Sequence, residues 1–296
     1  MSASSAAQAC ADPRFILTLE GPSARGQVAA VTALLEELGA YIEEFSVFDD
    51  VLTTRFYLRT QVRLPPSPTP DIQALEATLN QRLAPFAGSC GRVYSKDTPV
   101  PVLIMVSRTD HCLKELFTQI SSAGLNMRVV GVVSNHTLLQ PLVQAEGVPF
   151  HHLPITPETK PAQEAALLAL IEQTGAEFVL LARYMQVLSD GLCRTLQGRA
   201  INIHHSFLPG FKGARPYEQA HARGVKLIGA TAHFVTPDLD EGPIIEQALE
   251  RVDHTCLPEQ FLHVGRHTES LVLERAVRLV VERRVFVNGQ RTVILR

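Results

Sequence analysis

Apolar and polar positions near the start of the chain predict a small unit of four strands and two helices. In chain order the predicted elements are a strand at 15–19, a helix at 28–38, strands at 40–48 and 53–64, a helix at 72–83 and a strand near 91–94. Asp49-Asp50 is the predicted turn between the second and third strands. The βαββαβ order is the ferredoxin-like pattern.

The pattern changes after residue 100. A continuous apolar run at 102–106 predicts a strand buried on both faces. Further predicted elements are helices near 110–123 and 161–174, strands at 128–134, 149–152, 177–182 and 199–204, a long helix at 258–282 and a hairpin centred on Asn288-Gly289. Alternating strands and helices favour an open, doubly wound α/β domain with a parallel sheet.

The domain boundaries follow from this change. We predict an N-terminal domain over 13–94, a linker over 95–100 and a second domain over 101–296. Residues 1–12 are small and polar, as in a frayed tail, and the proline-rich run at 65–70 interrupts the first domain.

Composition narrows the class of protein. The 296 residues are 46% hydrophobic and 19% charged, with a formal net charge of −3, which fits a soluble globular protein. The charge argues against a protein that chiefly holds a nucleic-acid backbone. We expect no secretory signal, because the first residues have neither a basic start nor an apolar core, and no membrane span, because the apolar runs are too short.

The five cysteines are scattered and form no C-x-x-C pair. We therefore expect a reduced, cytoplasmic compartment, without a disulfide framework or a structural zinc site.

Several familiar sites can be set aside. The chain has no complete phosphate loop, no G-x-G-x-x-G after a predicted strand and no G-x-S-x-G motif. His263 and His267 stand four apart on a predicted helix, but without H-E-x-x-H or a third ligand they favour a solvated helix face over a metal site.

The end of the strand at 199–204 carries the first candidate chemistry. Asn202 and His204 are two residues apart, so their side chains point the same way. An amide N–H₂ and an imidazole aimed together can stabilise an oxyanion. The alternative is that both bond the local backbone.

An acidic loop downstream carries the second candidate chemistry. It contains Asp238, Asp240 and Glu241, and one carboxylate beside His204 could help to move protons to and from a water molecule. The alternative is a solvated turn. His233 lies on the stretch that leads into this loop, so we expect it to contact the catalytic residues without contacting the substrate.

These motifs resemble the folate-dependent formyltransferase superfamily. The resemblance rests on Asn202-Ile-His204-His-Ser-Phe-Leu-Pro, on Gly213-Ala-Arg-Pro-Tyr217 and on His233-Phe-Val followed by Asp240-Glu-Gly242-Pro-Ile-Ile. The His204-His205 doublet, the turn at 107–113, the segment at 183–188 and the tail at 284–293 are most similar to the formyltetrahydrofolate deformylase family.

The resemblance implies a hydrolase of one-carbon metabolism that releases formate from 10-formyltetrahydrofolate. The implied catalytic set is Asn202, His204 and Asp240, with His233 and His205 supporting it. No permanently bound cofactor and no metal are expected. The folate is expected against Met185, Gln186, Val187, Leu188, Val235, Thr236, Pro237 and Leu239.

The resemblance also identifies the βαββαβ unit as an ACT domain, a fold that pairs between subunits and binds amino-acid effectors. A homodimer or higher homo-oligomer is therefore expected. The family's acidic residue after the first strand is missing from Pro22-Ser-Ala-Arg-Gly26, which argues against an effector at this turn.

Two other functions stay open. One is formyl transfer to a small amine such as glycinamide ribonucleotide, although the turn at 107–112 lacks the glycine-rich phosphate cradle and contains Asp110. The other is a regulatory protein that binds folate without turnover. A transfer-RNA substrate is disfavoured because the chain ends soon after its α/β domain, at net negative charge.

Overall fold

The computed structural model describes residues 12–66, 71–122, 124–209 and 216–296. Residues 1–11 of the predicted tail, residues 67–70 of the proline-rich run and residues 213–215 of the formyltransferase motif lie outside the described residues. The chain divides into two compact units. The first runs to Thr98 and includes Glu282–Phe286 and Leu295–Arg296, and the second comprises Pro99–Val281 and Val287–Ile294.

The first unit is a four-stranded antiparallel sheet with two helices. Its elements are β1 (Arg14–Pro22), α1 (Gln27–Glu37), β2 (Tyr41–Asp50), β3 (Arg55–Arg63), α2 (Ile72–Leu83) and β4 (Cys90–Ser95). The strands lie in the order β2-β3-β1-β4. Alternating side chains of β1 and β3 pack with the apolar faces of both helices into one core, which includes Leu17, Leu34, Leu58 and Leu79. The predicted βαββαβ order is confirmed.

The turn between β2 and β3 differs from the prediction. Asp49 and Asp50 are still in the ladder, paired with Phe56 and Arg55, and the turn lies at 51–54. Asp50 accepts a hydrogen bond from the backbone N–H of Leu52 at 3.0 Å. The two aspartates therefore end the strand instead of forming the turn.

A buried arginine explains why the first unit includes a late segment of the chain. Arg59 on β3 is fully buried, with its guanidinium 2.9 Å from the Glu44 carboxylate. Its Nε donates to the carbonyl of Glu282 at 2.8 Å, and Arg284 pairs with Glu44 at 2.6 Å. The unit boundary at Thr98–Pro99 lies inside the predicted linker. Residues 282–286, which were predicted in the second domain, belong to the first unit, because the buried Arg59 guanidinium is stabilised by the Glu44 carboxylate and the Glu282 carbonyl.

The second unit contains a seven-stranded sheet with helices. Its elements are β5 (Val100–Val106), α3 (His111–Ser121), β6 (Met127–Ser134), α4 (Gln140–Ala145), β7 (Phe150–His152), α5 (Lys160–Thr174), β8 (Phe178–Leu181), α6 (Asp190–Thr195), β9 (Ala200–His204), α7 (Pro216–Ala222), β10 (Leu227–Phe234), β11 (Ile244–Arg251) and α8 (Pro258–Val281). A hairpin of β12 (Val285–Asn288) and β13 (Arg291–Ile294) follows. Its two-residue turn is Gly289-Gln290, one residue later than the predicted centre at Asn288-Gly289, because Asn288 is the last residue of β12.

The strand order β11-β10-β9-β8-β5-β6-β7 confirms the doubly wound fold class. The strands from β5 to β9 pair in parallel, as predicted, whereas β10 and β11 run antiparallel and make the sheet mixed. The chain starts in the middle at β5, runs to one edge and returns at β8 on the other side. Such a reversal leaves a crevice beyond the carboxyl ends of the two central strands.

Three short helices, α4, α6 and α7, were not predicted. Each has six or seven residues, which is too short for a helical repeat to be read from apolar spacing. No helix in the described part of the chain is both long and apolar enough to cross a membrane.

The loop that connects β10 to β11 folds back against the end of β10. The backbone N–H of Phe234 donates to the Pro243 carbonyl at 2.9 Å. A Cβ placed on Gly242 would lie 1.7 Å from the carbonyl oxygen of Phe234 and 3.2 Å from Nδ1 of His233. Glycine is therefore required at this position for the connection to fold back on β10.

We expect Gly242→Ala to lower the free energy of unfolding by about 1–3 kcal/mol, because the added methyl group would have to displace backbone. Gly191→Ala is the matched control, since the nearest atom to its Cβ is 3.9 Å away and its position is helical. Urea unfolding of both variants measures the difference. Equal stability of the two variants would contradict this account.

Candidate active site

A cavity of about 740 Å³ lies in the second unit. The segments that follow β5, β8 and β9 line it, together with the end of β10, the loop after it and one side of α8. Every site residue predicted from the sequence lines this cavity: Asn202, His204, Asp240, His233, His205, Met185, Gln186, Val187, Leu188, Val235, Thr236, Pro237 and Leu239. The topology thus brings together residues that are up to 55 positions apart (185 to 240).

The pairing of β9 with β10 sets the first contact of the site. Asn202 lies opposite His233 in the antiparallel register, and their side chains meet with Nδ2 of Asn202 3.2 Å from Nε2 of His233. Nδ1 of His233 donates to the carbonyl of Phe234 at 2.9 Å. Burial lowers the pKa of His233, so the ring is neutral and its Nε2 accepts from the Asn202 amide. This bond fixes the orientation of the amide.

Asp240 and His204 form the second contact. Oδ1 of Asp240 lies 3.3 Å from Nδ1 of His204 and 3.8 Å from Nε2 of His233. Burial acts to raise the pKa of Asp240, but the hydrogen bond and the charge of His204 outweigh it and lower the pKa below its usual range. The carboxylate is therefore ionised and holds the imidazole by one nitrogen.

The other nitrogen of His204 faces different surroundings. Its Nε2 is buried and has no hydrogen-bond partner among the described residues.

The backbone of Asp240 has a φ of 58°, the left-handed conformation that costs a non-glycine residue free energy. The tight turn before Gly242 imposes this conformation and delivers the carboxylate to the ring.

His205 stands next to this pair. Its ring meets the ring of His204 edge to face, with centroids 5.0 Å apart, and meets the ring of Tyr217 at 6.4 Å. Burial, with the charges of Arg183 and His204, lowers the pKa of His205 to about 4. His205 is therefore a neutral imidazole at neutral pH.

A buried carboxylate in α8 is the main site residue that sequence reasoning missed. Glu269 is 1% exposed and accepts hydrogen bonds from Nε2 of His111 at 2.8 Å and from the Tyr217 hydroxyl at 2.5 Å. The guanidinium Nε of Arg183 lies 3.2 Å away. Burial works to raise the pKa of Glu269, but the bond from His111 and the charge of Arg183 lower it, so the group is ionised.

One signal for Glu269 was present in the sequence. The buried face of α8 carries Val272, Leu273 and Val277, and Glu269 lies within the same buried stretch of the helix. A carboxylate at such a position requires partners of opposite charge or hydrogen-bond donors. The sequence could not say which donors would reach it.

His111, Cys112 and Glu269 have the spacing of a metal site, with candidate ligand atoms all within 4.8 Å of one another. Their chemistry does not fit one. Burial raises the pKa of the Cys112 thiol, so it is protonated, and Arg183 and Tyr217 already occupy the Glu269 carboxylate. His263 and His267 are exposed on α8 and do not line the cavity.

Comparison with known proteins identifies the family. The family model described as formyl transferase matches residues 100–277. The chain is 49% identical to a formyltetrahydrofolate deformylase of Corynebacterium sp. (strain P-1), over 96% of this chain and 98% of that protein.

Solved structures agree with this match. The crystal structure of a formyltetrahydrofolate deformylase from Burkholderia mallei superposes with a TM-score of 0.91 at 52% identity and covers 96% of this chain and all (100%) of that chain. Glycinamide ribonucleotide transformylase 1 from Symbiobacterium toebii gives a TM-score of 0.63 at 30% identity and covers 69% of this chain and 97% of its own. The chain therefore belongs to the formyltetrahydrofolate deformylase family and carries the formyl transferase domain of that family.

Proposed function

We propose that this protein is an enzyme that hydrolyses 10-formyltetrahydrofolate to formate and tetrahydrofolate, with water as the formyl acceptor. The observation that carries the proposal is the convergence of Asn202, His204 and Asp240 in one cavity, in a chain of this family. Formyl hydrolysis requires an oxyanion donor, a base and a group that stabilises the protonated base. The site offers the oriented Asn202 amide, the His204 imidazole and the ionised Asp240 carboxylate. One nitrogen of that imidazole is buried and has no hydrogen-bond partner among the described residues.

The folate is proposed to bind along the apolar wall of the cavity. Met185, Val187 and Leu239 line it, and each is more than half exposed (56%, 58% and 60%). Exposed apolar side chains at a cavity mouth favour a ligand that covers them. A pterin and its aromatic linker have flat apolar faces, and this position leaves the N10-formyl group beside Asn202 and His204.

The proposed reaction runs through a tetrahedral intermediate. Nε2 of His204 accepts a proton from the water while the water oxygen attacks the formyl carbon, and Asp240 stabilises the imidazolium that forms. The free N–H of the Asn202 amide and Nε2–H of His204 then donate to the oxyanion. The proton passes to N10 as the C–N bond breaks and formate leaves. Because Asp240 and His204 activate the water, the proposal requires no metal and no permanently bound cofactor.

Water is favoured over glycinamide ribonucleotide as the acceptor. The turn between β5 and α3 contains no glycine, and Asp110 at the start of α3 pairs with Lys114 at 2.5 Å. That hydrogen bond lowers the pKa of Asp110, so the side chain is an ionised carboxylate. Its negative charge would repel a phosphate at the start of α3, where a phosphate would otherwise be bound by backbone N–H groups. The transformylase from Symbiobacterium toebii has a similar fold, so the acceptor must be tested directly.

One assay separates the candidate functions. The protein is incubated with 10-formyltetrahydrofolate, with and without glycinamide ribonucleotide. Formate release without the amine supports the hydrolase, and a formylated product that requires the amine supports a transferase. Saturable folate binding with neither product supports a non-catalytic folate-binding regulatory protein.

The first unit is proposed to pair with a second copy of the chain. It has the ferredoxin-like order of an ACT domain, and its edge strand β2 exposes Tyr41, Val47 and Phe48, with Val51 and Leu52 in the following turn. An edge strand with exposed apolar side chains favours pairing. We therefore propose a homo-oligomer. We also propose a cytoplasmic location, because the described cysteines carry free thiols.

We expect Asn202→Ala and Asp240→Asn each to lower kcat for formate release by about 10²–10³-fold, because each removes a group that stabilises the transition state. Asp238→Asn is the matched control, since Asp238 is exposed in the same loop and does not line the cavity. Near-full activity of Asn202→Ala or Asp240→Asn would contradict the assignment.

We expect Val187→Asp to raise KM for 10-formyltetrahydrofolate by roughly tenfold or more while kcat changes little, since a carboxylate in the apolar wall must be desolvated when the folate binds. Val287→Asp introduces the same change at a 40% exposed valine that does not line the cavity. Steady-state kinetics of both variants measure the effect. An unchanged KM in Val187→Asp would place the folate elsewhere.

We expect light scattering to give a mass that is a multiple of the 32.5 kDa chain mass and the Val47→Asp variant to shift it downwards. The shift follows because a charge would have to be buried at the pairing surface. Leu138→Asp, at an exposed leucine of the second unit, should leave the mass unchanged. A monomeric wild-type chain would contradict the proposed pairing.

A further inference from the structure

Buried imidazole nitrogens are concentrated in the active-site cavity. His111 Nδ1, His204 Nε2 and His205 Nδ1 are all buried without a hydrogen-bond partner among the described residues, and all three residues line the cavity. Buried polar groups in folded proteins nearly always have a partner, either protein or ordered water. The described residues therefore leave the hydrogen-bonding capacity of three imidazole nitrogens beside the cavity unused.

His204 alone does not define the position of an attacking water. Its Nδ1 is taken by Asp240, so its Nε2 can accept one of the two water protons. The water must also point a lone pair at the formyl carbon, which requires that its second O–H be held by another acceptor. The amide nitrogen of Asn202 donates to His233, and its other N–H is assigned to the oxyanion, so Asn202 serves the carbonyl side of the reaction.

His205 has the chemistry and the location for that task. The residue is 9% exposed, and its ring stands edge to face with His204 at a centroid distance of 5.0 Å, so both rings border the same part of the cavity. Burial and the nearby charges of Arg183 and His204 lower the pKa of His205 to about 4. A neutral imidazole keeps one nitrogen lone pair as a hydrogen-bond acceptor.

The ring of His205 is also held in place from behind. Tyr217 packs against it edge to face, and the Tyr217 hydroxyl donates to Glu269 at 2.5 Å. A Cβ placed on Gly265 would lie 2.2 Å from the Tyr217 ring, so this glycine allows α8 to approach the ring closely. The ionised Glu269 is in turn fixed by His111 and Arg183.

We propose that His205 is the residue that positions the nucleophilic water, accepting a hydrogen bond from it through Nδ1 while His204 removes the other proton. The inference rests on the proposed hydrolysis of 10-formyltetrahydrofolate. His205 forms no covalent bond and takes up no proton. Its role is to orient the water so that the oxygen lone pair meets the formyl carbon.

Three substitutions of His205 test the inference. His205→Leu removes the acceptor, His205→Asn keeps a polar atom near the position of Nδ1, and His205→Gln moves it to the position of Nε2. We expect kcat for formate release to fall about 10²-fold in His205→Leu and in His205→Gln, as for a misplaced reactant. His205→Asn should retain roughly tenfold more activity than either.

Binding and stability separate positioning from folding. KM and the Kd of tetrahydrofolate should stay within about threefold of wild type in all three variants, because the water does not bind the folate in the ground state. The melting temperature of each variant is measured, with His263→Asn as a histidine substitution on an exposed helix face outside the cavity. If His205→Leu is destabilised, the comparison of His205→Asn with His205→Gln still decides, because both side chains are polar amides.

The outcomes distinguish this inference from the proposed function. Normal formate release by wild type and by His205→Leu would overturn the role of His205 and leave the hydrolase intact. Equal losses in His205→Asn and His205→Gln would also overturn it, because they would indicate a packing role. Absence of formate release by the wild-type chain would overturn the proposed function and this inference together.

Discussion

The antiparallel pairing of β9 with β10 is the constraint on which the site depends. It sets Asn202 opposite His233, and Thr231 opposite His204, so these side chains share one face of the sheet. A slip of one strand by one residue would turn its side chains to the opposite face and separate them from those of the other strand. The loop after β10 then returns across the same strand at Gly242 and brings Asp240 to His204. The ladder and the loop after it thus bring together the three groups that we propose as the oxyanion donor, the base and its carboxylate partner.

Two ionised carboxylates of the cavity, Asp240 and Glu269, have neutral imidazoles close to them. Asp240 is held by His204, and Glu269 by His111, Arg183 and Tyr217. Burial keeps His233 and His205 neutral, which leaves each with a lone pair to accept hydrogen bonds. Arg183, with a φ of 66°, shares the left-handed conformation of Asp240. Backbone strain of this kind persists where surrounding contacts determine the conformation, as the two carboxylates do here.

Local periodicity predicted most of the fold because most elements are long and strongly patterned. The run at 102–106 became β5, and the long helix predicted at 258–282 became α8. The errors occur where local signals are short or equivocal. Asp49 and Asp50 are residue types that favour turns, yet both lie in the β2–β3 ladder, because Phe56 and Arg55 of β3 pair with them. The direction of β10 and β11 could not be predicted either, since side-chain alternation is the same in parallel and antiparallel strands.

The sequence by itself determined the two-unit order, the family resemblance and the residues whose chemistry depends on local spacing. Asn202 and His204 share a face because they are two apart on a strand, and no tertiary contact is needed to know this. Only the tertiary structure decided what surrounds them. Glu269 meets His111 across 158 positions of the chain, and the pKa of His205 is lowered by burial and by the guanidinium of Arg183. Such properties depend on distances and solvent exclusion between remote segments, which spacing along the chain does not encode.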